Sequence, residues 1–371
     1  KGRRTALHLA AANGHIETVQ ALAEVGADVH AQNNHRRTAL HLAADNGHAD
    51  IVKALAELGA DVCALDKDGR MALQLATDNG HVDTEKLLKA LQDVREKNEA
   101  LRRAACGGQI NEVRNLVGLG SDVHSHDTQG DTLLHLASLS GNTEMVKVLV
   151  ELGADVHARD KDGLTALHRA ARWGHTDTVK RLVELRADMC AQNGYGYTAL
   201  RLAADNGHTE TVKVLVDLGA DVHALDEHGH TVIHWAAFWQ RTETVKMLAE
   251  LGVNVRAQNK DGGTALHLAA DNGHTETVKI LVELGVGVST QDKDERTALH
   301  LAAINGHTET VKSLVDLEAD MHTVDKHGRT TLHLAADKGH AETVKLLVDL
   351  GADLCTQDKD GRTALHLAAG S

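Results

Sequence analysis

Histidine is the residue type best equipped for chemistry here, with 27 copies among 371 residues. It recurs as a pair seven positions apart, first as His8 and His15, and the pair returns in most of the segments that follow. Neutral imidazole is a common metal ligand and a general base near pH 7. On an unbroken helix, seven residues would bring both rings to one face. Here Asn-Gly stands between the two, a turn signal that interrupts such a helix. The pair therefore points to hydrogen bonding inside the fold, with stability that responds to pH near neutrality, rather than to a metal.

Catalysis lacks its usual frame. Serine, histidine and aspartate can be combined many ways, but no Gly-x-Ser-x-Gly elbow surrounds a nucleophile. No glycine-rich phosphate loop is present, and no Cys-x-x-Cys pair marks a zinc site. We expect no catalytic residue, no metal and no cofactor. Of the four cysteines, Cys63, Cys190 and Cys355 share one place in a repeat, and Cys106 stands elsewhere. Stacked repeats lie roughly 10 Å apart, too far for these thiols to bridge. Reduced thiols suit the cytoplasm or nucleus.

The sharper signal is recognition chemistry. The six aromatic residues, Trp173, Tyr195, Tyr197, Trp235, Phe238 and Trp239, fall in one short stretch. Arg169, Arg172, Arg201 and Arg241 lie among them. Trp173 and Trp239 replace an asparagine, Phe238 replaces an aspartate like Asp205 and Asp271, and Trp235 replaces a leucine. In flanking segments the same region carries Asp45, Asp78, Asp271 and Asp337. Tryptophan, tyrosine and arginine are enriched at binding hot spots, so these ten residues form a candidate partner-binding surface. The competing reading is drift, with rings filling local gaps. Gln240-Arg241 stands where Gly-His is usual, so the turn there is expected to be abnormal.

The elements that must carry these residues are repeats. A helix-starting phrase begins at Thr5, Thr38, Met71, Glu99, Thr132, Thr165, Thr198, Thr231, Thr264, Thr297, Thr330 and Thr363, and in nine copies it reads Thr-x-x-His-x-Ala. Each step is 33 residues except the 28 from Met71 to Glu99. A fixed period of this size means a solenoid whose units bury their faces on one another. In residues 264–296, Thr264 is placed to cap a short helix through its hydroxyl. Leu266, Ala269 and Ala270 give it a thin apolar face. Asn272-Gly273 turns the chain, and Val278, Leu281 and Val282 mark a second helix ended by Gly285. The polar remainder reads as a projecting finger.

Thr-Ala-Leu-His-x-Ala-Ala, then Asn-Gly-His, then Leu-Gly-Ala-Asp-Val resembles the ankyrin repeat family along the whole chain. One departure is uniform: the family's second-position proline is absent, and Ala6, Ala39, Ala166, Ala265 or Thr331 stands there. Alanine is the best helix former, so little stability should change. The resemblance implies an all-α stack of helix-turn-helix units with hairpin fingers, structural histidines, and a concave groove of fingers and first helices that binds proteins.

The short step breaks the array. Gln92–Asn98 replaces a finger and holds no stopping glycine. Leu87, Leu91, Val94, Asn98, Leu101 and Ala105 alternate four and three apart. We read one helix from about Val82 to Ala105, the alternative being a hinge capped by Asn98. Residues 1–97 then form a three-repeat block with a C-cap-like end. Residues 98–371 form a second block with an N-cap-like start, about eight further repeats and a truncated last one. Lys1 sits at the start of a repeat, so sequence is expected before it, and Gly370-Ser371 reads as an appended remnant. Uncapped ends would expose apolar surface and favour self-association.

The formal charge of −14 argues against nucleic acid and anionic membranes, and favours a basic or mixed-charge partner. No apolar run is long enough to span a bilayer. The expected function is a non-catalytic interaction scaffold that holds a protein or peptide in its groove. The alternatives are an architectural or designed scaffold, and a recruiting module of a larger protein.

Overall fold

The computed structural model describes residues 3–370; the readings of Lys1 and Ser371 lie outside them. The described residues form 22 helices and no strand. Their one extended contact is a bridge between His126 and Thr132. The chain divides into two compact units after Asp122. The division by repeat pattern, residues 1–97 and 98–371, we keep as a proposal.

In the second unit each full repeat pairs a seven-residue helix, such as Ala265–Asp271, with a nine-residue one, such as Thr275–Glu283. First helices stack on first helices and second on second. Leu266, Ala269, Ala270, Val278 and Leu281 are fully buried between neighbours, while Val282 is half-buried. Alanine on the inner contact lets adjacent backbones approach closely, and each buried leucine contributes about 2 kcal/mol.

Hydrogen bonds set the spacing of the stack. Thr264 N–H donates to His267 Nδ1 at 3.1 Å, and the Thr264 hydroxyl meets the same nitrogen at 2.9 Å. Thr264 and His267 thus form a reciprocal capping box: the threonine side chain faces the His267 backbone N–H as expected, and the imidazole caps the threonine in return. The far nitrogen, Nε2, reaches the Arg296 carbonyl of the next repeat at 3.2 Å. A carbonyl only accepts, so Nε2 carries the hydrogen and Nδ1 is the acceptor. Both nitrogens of the first histidine are therefore used, as the sequence implied. The second histidine bonds back across the interface, His307 Nε2 to the Asp271 carbonyl at 3.0 Å.

The second helices add a stitch that composition does not advertise. Thr143 meets Thr178, Thr176 meets Thr211, and the pattern continues to Thr308 and Thr343, with hydroxyl oxygens 2.7–3.0 Å apart. Fingers close through an aspartate or asparagine whose Oδ1 accepts two backbone N–H groups. Asp325, for example, takes those of His327 and Arg329 at 2.9 Å.

The first unit departs from this regularity at one helix, Val82–Cys106, 25 residues without a break. The hinge alternative is thereby excluded. Its apolar stripe is not continuous, however. Leu87 and Leu91 pack beside fully buried Leu88 in the core of the preceding repeats, and Leu101, Ala104 and Ala105 are buried again. Between them Val94 is exposed, because the missing finger leaves nothing to cover the middle of the helix. There Arg95 pairs with Asp61 and Glu99. No described helix is long and apolar enough to cross a membrane.

Candidate partner-binding surface

All ten candidate residues lie in the second unit, but the structure divides them. Trp173, Tyr195 and Trp239 are 56%, 68% and 48% exposed. Tyr197, Trp235 and Phe238 are half-buried. Rings touch in sequence: Tyr195 to Tyr197, Trp235 to Phe238, Phe238 to Trp239, with centroids 5.9, 5.4 and 5.1 Å apart. Arg201 closes the gap in this series. Its guanidinium lies 3.5 Å from the Tyr197 centroid and 3.8 Å from that of Trp235. Trp173 stands outside the series, at the same repeat position as Trp239 two repeats earlier.

Arg201 is only 8% exposed. In most fingers bearing a buried aspartate, an arginine four residues on neutralises it, as Arg296, Arg329 and Arg362 do for Asp292, Asp325 and Asp358. Asp226 has His230 there instead. Arg201 donates to Asp226 Oδ2 at 3.2 Å, and Trp235 Nε1–H donates to the same oxygen at 3.1 Å. Burial pushes the Asp226 carboxyl up, but the backbone N–H groups of His230 and His228 and the charge of Arg201 hold it low. Burial pushes the His230 and His234 rings down, His234 to about 4.

Arg169 repeats the solution one finger earlier. Leu164 occupies the arginine place, and Arg169 bridges Asp160 at 2.8 Å and Asp131 at 2.9 Å. Asp131, His135 and Asp160 could together offer ligand atoms to a metal. The Arg169 guanidinium already sits on both carboxylates, and His135 Nε2 is bound to the Leu164 carbonyl at 2.9 Å. Arg241 takes over the second histidine's stitch, with Nε donating to the Asp205 carbonyl at 2.9 Å.

The turn before it keeps the first bonds of the glycine turns but is strained, as expected. Gln240 N–H reaches the Ala237 carbonyl at 3.2 Å, as Gly174 N–H reaches that of Ala171. Gln240 achieves this by adopting the left-handed φ of +57° itself. Of the four arginines only Arg172 is exposed. The counter-ion roles were missed from sequence; the signal was the absent finger arginine at Leu164 and His230.

One pocket gathers three of the exposed members, Arg172, Tyr195 and Trp239, but not Trp173. Arg172, Tyr195, Tyr197, Asp205, Trp239 and Arg241 line a cleft of about 370 Å³. Asp205 is its anomaly. Its Oδ2 lies 3.6 Å from Arg201 Nε, while its Oδ1 is buried with no hydrogen-bond partner. Burial raises its carboxyl to about 6 against the pull of Arg201 and Arg241.

The family model for ankyrin repeats (3 copies) matches residues 1–66, 101–193, 185–259, 251–325 and 310–371. The chain belongs to the ankyrin-repeat family. The unmatched stretch, 67–100, holds the start and middle of the continuous helix, where a finger is missing. Over 51 residues the chain is 41% identical to the putative ankyrin repeat protein RF_pd14 of Rickettsia felis, covering 77% of that protein and 14% of this chain. Ankyrin repeats are protein–protein interaction modules, and this chain is built of them.

Proposed function

We propose that the chain is a non-catalytic scaffold that grips a protein or peptide segment on the first helices and fingers between Arg169 and Arg241. The supporting observation is the exposure of Trp173, Tyr195 and Trp239 on repeats whose backbone is fixed by periodic stitches. Drift that filled gaps would have turned these rings inward. A surface held rigid before contact loses little entropy on binding, and large aromatic anchors then convert burial into affinity. The buried arginines set the wall; the exposed rings and Arg172 meet the partner.

Trp173→Ala or Trp239→Ala should weaken a co-purified partner by about 2 kcal/mol or more. Because both side chains stand half in solvent, the urea midpoint should barely move. Titration calorimetry beside equilibrium unfolding checks this. A fall in stability with unchanged affinity would return the rings to the role of filler.

A further inference from the structure

Asparagine at the inter-helix turn follows a rule in these repeats. Asn79 Nδ2 donates to Asp45 Oδ1 at 3.0 Å, and Asn305 Nδ2 donates to Asp271 Oδ1 at 2.8 Å, each from one repeat to the aspartate before it. Where the preceding repeat has no aspartate, the amide turns to its own helix instead, as Asn46, Asn206 and Asn272 do. Asp205 is the exception. The residue placed to serve it is Trp239, which offers no donor at that position, and Asp205 Oδ1 is left without a partner. Asp205 lines the cleft that Trp239, Tyr195 and Tyr197 help to form, with the unserved oxygen closed off behind its wall.

We infer that this cleft receives an asparagine or glutamine side chain of the bound segment, whose amide supplies to Asp205 the donor that an intrachain asparagine supplies to Asp45 and Asp271. The inference rests on the partner-binding reading above. Charge selects the amide. Two cations, Arg172 and Arg241, and two carboxylates, Asp162 and Asp205, line the cleft, so neither a lysine nor a glutamate gains a net opposite field. A carboxamide donates to Asp205 through its NH2 and offers its oxygen to the Arg172 guanidinium, using both signs. The aromatic walls cover its methylenes. A volume of about 370 Å³ is that of a small-ligand cleft rather than a folded surface. Asp205 Oδ1 is closed to solvent in the free protein, so entry takes a side-chain rotation in the cleft wall, a common change at interfaces.

A random-peptide phage library panned on the full chain tests this, followed by calorimetry with synthetic peptides. Peptides that require Trp239, which lines the cleft, should share an asparagine or glutamine. Replacing that residue by norleucine should weaken binding tenfold or more on the wild type and have no effect on Asp205→Ala. That pattern is the signature of direct coupling in a double-mutant cycle. Asp205→Leu is a second background. Both substitutions are compatible with the fold, since Ala12 and Leu139 occupy the same place in other repeats. A shared lysine or glutamate at that position would overturn the inference. So would Trp-dependent binding indifferent to Asp205, which leaves the partner-binding reading intact. A library yielding no Trp-dependent peptide would overturn both.

Discussion

From Thr165 to Arg241, three successive repeats carry every aromatic side chain of the protein, and the three repeats after them carry none. The helices of the two stretches superpose in pattern, seven residues then nine. Their polar networks do not. In the later repeats each finger aspartate pairs with its own arginine, and Asn305 serves Asp271. In the aromatic repeats Leu164 and His230 displace those finger arginines, and Arg169 and Arg201 appear on first helices to take over the same carboxylates. Loss and replacement are matched, residue for residue, so the rings were accommodated without leaving the finger aspartates unpaired. Among the described carboxylates only Asp205 keeps a buried oxygen without a partner. The repeat's own bonds are rerouted, and the residues that reroute them, Arg169 and Arg201, are not the exposed ones.

Arg201→Ala should break the contrast most. It leaves Asp226 and Asp205, both largely buried, without their guanidinium. Removing one member of a buried pair costs about 3 kcal/mol or more. Arg296→Ala, the equivalent loss in the later repeats, removes a side chain one-third exposed that serves one buried carboxylate, Asp292, rather than two, and should cost less than Arg201→Ala. Paired urea titrations of the two variants measure the difference. Equal midpoints would mean that Arg201 is no counter-ion.

Acid separates the stretches next. His234, like His267 and His300, is held neutral chiefly by burial. For a histidine lowered in the fold, stability is complete above the unfolded value of about 6.5 and is lost as pH falls. For His234 the loss runs down to its folded value of about 4 and amounts to roughly 3 kcal/mol. Asp205 works in the opposite direction. Its carboxyl is raised to about 6, so the folded state takes up its proton first and the group favours folding as pH drops from 7 to 5. In the later repeats no aspartate with a raised value offsets His267 and His300. Asp205→Asn should therefore raise stability at pH 7.5 by about 2 kcal/mol and steepen the decline toward pH 5. A pH series of thermal or urea unfolding reads both changes.

Trp239→Asn makes the aromatic repeat like the later ones at a single point. The new amide should donate to Asp205 Oδ1 as Asn305 does to Asp271. Satisfying that oxygen is worth about 1 kcal/mol, and the Asp205 carboxyl should titrate below its present value of about 6. Carboxyl-detected NMR titration shows whether it does; an unmoved Asp205 would mean that the missing asparagine is not what leaves it raised.

What could be read from the chain followed its period. The repeat, the turn and the core alanines are each repeated many times, so any one copy predicts the rest. The continuous helix was legible because Gln92–Asn98 holds no glycine. The exposure of Val94 was not, since a stripe of spacing says nothing of what packs on it. In the candidate surface the ring types stood out, but the parts played by Arg169, Arg201 and Arg241 did not. Their meaning depends on partners 9 to 38 residues away, in other repeats. Single-residue enrichment does not distinguish an arginine that meets a partner from one that neutralises Asp226.

Gln240 gives the smallest and cleanest comparison. Gly174, Gly207 and Gly273 hold the equivalent turn at φ of +72° to +75°, and Gln240 holds it at +57°, keeping the bonds to Ala237 and Ala236 but not the threonine N–H bond that the glycine carbonyls accept. A left-handed residue bearing a Cβ costs about 1 kcal/mol. Gln240→Gly removes that strain but gives the unfolded chain more freedom, which offsets part of the gain. The net effect should be a stabilisation of less than about 1 kcal/mol, seen as a small rise in urea midpoint. The reverse change should be worse than neutral. A Cβ at Gly207 would lie 2.8 Å from Arg241 Cδ, and the Nε of that arginine is bound to the Asp205 carbonyl. Gly207→Gln must therefore disturb the stitch to the next repeat as well as strain the turn. If the two substitutions moved stability by equal amounts in opposite directions, backbone strain alone would explain both, and the inter-repeat contact of Arg241 would carry no weight.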